Sequence, residues 1–169
     1  MAHTQTILGI DPGFGRLGYG VIKSDGRGGW RGVEWGCVDT PAKTPIAERL
    51  ILIEKKISEI INTHKPDGVA VEKLFFSKNV TTAMDVAQAR GVVVLTCGKH
   101  KMVVMEYTPN QIKQSIAGYG KADKAQMQKM VAMILGIKEK IKSDDAADAL
   151  AAAICGGAGL KLAKLYAKG

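Results

Sequence analysis

Three strand-like runs in the first forty residues, separated only by short glycine-rich turns, restrict the fold of this chain more than any other feature. ILGID (7–11) is a short apolar run ending in an acid. GYGVIKS (18–24) follows a glycine-rich turn, and WRGVEWGCV (30–38) follows the turn cluster DGRGG. Connections this short join neighbouring strands antiparallel, because a parallel crossover needs a dozen or more residues. The chain is therefore expected to open on an antiparallel meander.

Beyond residue 40 the pattern changes to alternating helices and strands. Ile46, Leu50, Ile53, Ile57 and Ile60 recur at steps of three and four, the apolar stripe of an amphipathic helix that Pro66 ends. GVAVE (68–72) reads as a strand buried on both faces. Val80, Met84, Ala87, Gly91 and Val94 keep a helical period, so one helix is expected over 79–97, although GVVVLT read alone also fits a strand. VVMEY is a further strand, and Thr108-Pro109 caps a short helix ending near Gly118. Met127, Met130, Val131 and Ile134 mark a helix closed by Gly136. Ser143 and the aspartates after it open an alanine-rich helix, DDAADALAAAI. This order predicts an α/β fold: a mixed five-stranded sheet, meander first and parallel strands after, flanked by helices. No repeat or linker divides the 169 residues, so a single domain is expected, with residues 157–169 as a basic, mobile tail.

Composition narrows the class. With 46% apolar and 24% charged residues the chain is neither disordered nor fibrous. No apolar run approaches the ~20 residues of a membrane span, and MAHTQT lacks the hydrophobic stretch of a signal peptide. Cys37, Cys97 and Cys155 lack metal-ligand spacing and read as reduced packing residues, so a soluble intracellular protein is expected. The net charge is +8, and residues 99–142 carry nine Lys against three acids. Such a local excess suits a polyanion such as nucleic acid, and equally a solvated lysine-rich helical surface.

Gly13, Gly15 and Gly18 spell the GxGxxG of a dinucleotide site, but that fingerprint needs a helix opening at its last glycine, and here a strand follows. The glycines are expected instead to allow a tight turn beside Asp11 and the close approach of another backbone. Four acids stand out. Asp11 and Glu72 each end an apolar strand, and Asp145 and Asp148 lie one turn apart near the start of the last helix. If the two strands are neighbours and the helix crosses their ends, all four carboxylates converge. Such a cluster needs divalent cations, and oxygen donors without His or Cys favour Mg²⁺ or Mn²⁺. Each acid also has a structural explanation: an Asx turn at Asp11, a solvated strand end at Glu72, and helix-dipole partners at Asp144, Asp145 and Asp148. The four together are harder to explain that way, since burying an unpaired carboxylate is costly.

GIDPG with the following GYG, VAVEKLFFSKN, QARG and DDAADALA resemble, in order and spacing, the RuvC-type Holliday junction resolvases over roughly residues 6–156. The resemblance implies an RNase H-like (retroviral integrase) fold. It places the family's metal-binding acids on Asp11, Glu72, Asp145 and Asp148, with Asp144 left as a helix-start residue. It also implies a structure-selective endodeoxyribonuclease that resolves four-way DNA junctions by paired symmetric nicks, in recombination and repair. Two Mg²⁺ ions about 3.5–4 Å apart, for which Mn²⁺ can substitute, would serve phosphodiester hydrolysis, with Asp11 bridging both. Phe75 is implied to stack on an unpaired base, a contact worth about 1–3 kcal/mol, while Phe76 has no assigned role. Lys113 and Lys124 match positions that contact the DNA backbone, Lys121 lies in the same basic segment, and Lys78 is a weaker candidate. A homodimer with residues 79–98 at its interface is implied, as are the branch-migration helicase RuvAB as partner and a bacterial cytoplasmic location, without membrane contact. Three alternatives fit less of the chain. A YqgF-like nuclease shares GIDPG but not the LFFSKN and DAADAL spacing. A non-catalytic nucleic-acid-binding module leaves the acids unexplained, and an actin-like ATPase needs a second phosphate-binding half.

Overall fold

The computed structural model describes residues 4–73, 80–118 and 122–166, with the backbone alone at 80–82 and 161–166. The meander is there: β1 (Thr6–Asp11), β2 (Arg16–Ser24) and β3 (Trp30–Asp39) pair antiparallel in sequence. After α1 (Ile46–His64), strand β4 (Gly68–Glu72) adds parallel to β1. Helix α2 (Val80–Lys99) then leads to β5 (Val104–Tyr107), parallel to β4. Helices α3 (Pro109–Ala117), α4 (Lys124–Ile134) and α5 (Asp144–Tyr166) complete the chain. The sheet order is β3-β2-β1-β4-β5.

The two-residue period of a strand divides the core between the two faces. Leu8, Ile10, Tyr19, Val21, Val69 and Val71 pack against α1 and α2. Ile7, Ile22 and Ala70 point the other way, into a layer built by α3, α4 and α5. Gly9, Asp11, Gly18, Gly20 and Glu72 fall on this second face by the same alternation. Strand period alone thus turns both strand-end acids toward α5.

Helix α5 lies almost directly on the sheet because glycine clears its path. A Cβ at Gly9 would stand 1.9 Å from the Ala149 carbonyl oxygen, and one at Gly18 would stand 2.0 Å from that of Asp145. These are backbone atoms that a side chain cannot push aside. Further along, Gly156 meets Ala70, where a Cβ would come within 2.6 Å. Here the expectation of a tail from residue 157 is corrected. Helix α5 runs on to Tyr166 and Leu160 is fully buried, because the small residues of GGAG fit against the sheet instead of ending the helix.

Other expectations are sharpened or reversed. Residues 92–97 are helical, as the longer period required. The predicted stripe of α2, however, faces outward: Met84 is 61% exposed, Ala87 and Gly91 are exposed, and Val94 is 36% exposed. Val86, Ala89, Val93 and Cys97 make the core face instead. This helix is apolar on both sides, so its period locates a face without saying which way it points. In α1, Ile53, Ile57 and Ile60 are buried as expected, but Ile46 at the helix start is exposed. Thr108 and Asp123 each close a capping box, on Gln111 and Gln126. The three cysteines are free.

Gly9→Ala should cost about 1–3 kcal/mol or more by overpacking against α5, a fall in melting temperature of at least about 3 °C. Gly15→Ala, whose Cβ would find no atom nearer than 3.9 Å, should stay within about 0.5 kcal/mol of the parent. Thermal denaturation of the two variants tests the close approach, and equal stability would contradict it.

Candidate active site

Asp11 and Glu72 are adjacent because β1 and β4 run parallel with Ile10 beside Val71, so each acid is the next residue along its strand. On the other side, Asp11 pairs with Gly18 of β2, the residue on which the Asp145 backbone rests. One turn further along α5, Asp148 reaches over the strand ends. All four acids are half-buried.

The electrostatics follow from that packing. Burial, the charge of Glu72, a hydrogen bond shared with Glu72 and the charges of Asp148 and Asp145 push the Asp11 carboxyl up to about 8. Burial also raises Glu72, against the hydrogen bond from Asp11 and the charge of Lys113. Asp148 is pushed up to about 6 by burial and then by Glu72, with Lys124 opposing. The hydrogen bond between Asp11 and Glu72 is one that a protonated Asp11 donates, which favours the protonated acid over two adjacent charges.

The expected convergence needs one correction. Among the described residues, no three His, Cys, Asp or Glu side chains stand in ready-made metal-coordinating geometry. The carboxylates are engaged otherwise: Asp11 and Glu72 hydrogen-bond each other, and Asp145 accepts from Ser143 Oγ at 3.3 Å. The donor set still fits a hard divalent cation, being all carboxylate and half-buried. Asp144 stands outside it. It opens α5 and pairs with Lys124 Nζ at 3.0 Å, which holds its carboxyl below the usual range.

The acids lie between two depressions. On the Glu72 side is a cleft of about 200 Å³, lined by Glu72, Asp148, Lys113, Lys124, Ile112 and Met127. Two lysines singled out by sequence thus border the carboxylates directly, whereas Phe75, Phe76, Lys78 and Lys121 lie outside the described residues. On the Asp145 side is a wider groove of about 550 Å³ between β3 and the segment entering α5. Its cations, Arg16, Lys140 and Lys142, escaped the sequence reading, although KEKIK just before the aspartates was a signal.

The turn after Asp11 is held from behind. The Arg49 guanidinium stacks 3.7 Å above the Phe14 ring, and its Nε donates to Thr40 Oγ1 at 3.0 Å. Thr40 Oγ1 donates in turn to the Phe14 carbonyl. Within the turn, a Cβ at Gly13 would overlap the Arg16 carbonyl. The two glycine roles expected from sequence therefore fall on Gly13, for the turn, and Gly18, for the approach of a second backbone.

Comparison with known proteins agrees with this geometry. The family model for crossover junction endodeoxyribonuclease RuvC matches residues 7–156. The crossover junction endodeoxyribonuclease RuvC of Desulfitobacterium hafniense is 52% identical over 149 residues, covering 88% of this chain and 90% of that protein. The solved structure of Thermus thermophilus RuvC superimposes with a TM-score of 0.86 at 34% identity, covering 94% of this chain and 96% of the other. The same protein in complex with a Holliday junction substrate gives 0.86 at 35% identity, over 90% and 93% of the two chains. The fold is therefore RNase H-like, and divalent-metal dependence accompanies the family. This chain belongs to the RuvC family of crossover junction endodeoxyribonucleases.

Proposed function

We propose that this chain, acting as one nuclease domain, resolves four-way DNA junctions by hydrolysing one phosphodiester at each of two symmetric positions. The observation that carries the reading is the placement of Asp11 and Glu72 at neighbouring strand ends, with Asp148 over them and lysines beside them. In this reading Asp11, Glu72, Asp145 and Asp148 hold two Mg²⁺ ions, which when bound polarise the scissile phosphate and lower the pKa of the attacking water. The protein's own part is positional. The strand ends fix Asp11 and Glu72, Gly18 fixes the height of Asp145, and Lys113 and Lys124 offer charge to phosphates in the cleft. Phe75, Lys78 and Lys121 belong to the proposal as DNA contacts on family resemblance.

Paired cuts call for two sites related by a twofold axis, hence a homodimer. The outward face of α2 supports this: Met84, Ala87, Gly91 and Leu95 form an exposed small and apolar stripe, with Leu95 64% exposed. Cooperation with RuvAB and action on cytoplasmic bacterial DNA complete the reading by analogy with the family.

Incubation with a four-way junction, a matched duplex or structured RNA, with Mg²⁺ or EDTA, should give paired symmetric nicks on the junction with Mg²⁺ alone. No cleavage of any substrate would overturn the reading. Asp11→Asn and Glu72→Gln should each lower cleavage more than about a hundredfold, the loss expected when several kcal/mol of charge stabilisation disappear, while junction binding survives. Retained cutting would show that the site lies elsewhere.

The carboxylates also make stability depend on pH. Asp11 is raised from 3.8 to about 8 in the folded chain, so its contribution is fully present below about pH 4 and is lost as pH rises toward 8. At pH 8 in EDTA, Asp11→Asn should melt about 2–4 °C or more above the parent, at least ~1 kcal/mol, and the gap should close near pH 4. Leu95→Asp should shift sedimentation toward a monomer, and a dimer unaffected by this charge would place the interface off α2.

A further inference from the structure

We propose that the groove on the Asp145 side is a second binding site for the sugar-phosphate backbone, gripping the cleaved strand a nucleotide or two from the cut. The inference rests on the nuclease reading above and extends it to residues outside the carboxylate site. Its position is fixed by the sheet: Asp11 pairs with Gly18, and Gly18 pairs with Cys37, which lines the groove. Two strand spacings put the groove ~10 Å from Asp11. Neighbouring phosphates of one strand lie farther apart than the ~3.4 Å axial rise per nucleotide, so that is about one or two phosphates along the strand.

The lining suits this ligand. Arg16, Lys140 and Lys142 face Asp39 and Glu139, and Asp39 is already engaged by Arg16 Nε at 2.6 Å. The two lysines face Glu139 within the groove, Lys140 also acts on Asp144 beside it, and KEKIK (138–142) carries a net +2. Trp35 adds an apolar wall on which a sugar or base can rest. The groove joins the site through Ser143, which lines it, meets Cys37 Sγ at 3.0 Å and bonds Asp145. A strand crossing the carboxylates must leave the site in both directions. The cleft of Lys113 and Lys124 accepts one direction, and this groove is the exit on the other.

The test measures junction binding in EDTA against salt for the parent, for Lys140→Gln/Lys142→Gln and for Lys65→Gln/Lys101→Gln. The last pair removes two exposed lysines that precede β4 and β5, at the opposite end of the sheet from Glu72. The groove variant should bind about tenfold more weakly, and its slope of log K against log salt should be shallower by about 2, near 0.9 per lost phosphate contact. The control pair should match the parent. Two further junctions end the cleaved strand immediately beyond the cut, one on the 5′ side and one on the 3′ side. On one of them the parent should fall to the affinity of the groove variant, so that the difference vanishes. An unchanged slope, an equal loss in the control pair, or a deficit that persists on both shortened junctions would overturn the groove. A parent that neither binds nor cuts the full junction would instead overturn the nuclease reading on which the groove rests.

Discussion

The approach of the α5 backbone to bare strand is the constraint on which the rest of this structure depends. A sheet normally keeps a helix about 10 Å away with its side chains. Here Gly9 and Gly18 remove those side chains where Ala149 and Asp145 pass, and the helix carries alanines on its facing side. The helix consequently has no freedom to slide or rotate without a backbone clash. Asp145 and Asp148 inherit that rigidity, as do Asp11 and Glu72 from the ends of two paired strands. A site built on regular elements holds its geometry better than one built on loops.

That rigidity is set against an electrostatic cost. Burial raises Asp11, Glu72 and Asp148 together, and neighbouring carboxylates add to it at Asp11 and Asp148, so the site opposes the fold that creates it. The cost is tolerable because it is local. Two apolar layers, one on each sheet face, lie beneath the strand ends and supply the stability that the carboxylates withdraw. Removing the charge from such a site is expected to stabilise the chain and disable it together, the usual exchange between stability and activity.

Much of this was legible in the sequence, and the rest was not for identifiable reasons. The meander could be read because its turns are too short for any other connection, and the acids because a carboxylate ending an apolar strand needs a purpose. Gly13 and Gly18 could be given roles because strand flanks them on both sides. The outward turn of α2 could not be read, since Met84 and Val94 are as apolar as Val93 and Cys97, and period does not distinguish inside from outside. Residues 157–166 read as a tail because GGAGLKLAKLY matches no motif, and only the sheet surface shows that Gly156 fits against Ala70. The Asp145-side groove stayed hidden because Arg16, Trp35 and Lys140 come from three separate parts of the chain.

The distribution of charge then separates binding from chemistry. In the function proposed above, a DNA strand would meet repulsion at the carboxylates and attraction on either side, from Lys113 and Lys124 in the cleft and Lys140 and Lys142 in the groove. Affinity must come from the flanks, since the centre contributes none until its charge is neutralised. In that reading neutralising the centre by mutation would spare binding, whereas neutralising a flank would weaken it through long-range charge that salt screens. The first turn of α5 ties the two together. Ser143 borders the groove, Asp145 and Asp148 carry the carboxylates, and Asp148 also lines the cleft, all within six residues of one rigid helix start. A strand held at both flanks would thereby be aligned with the acids by the same element that positions them.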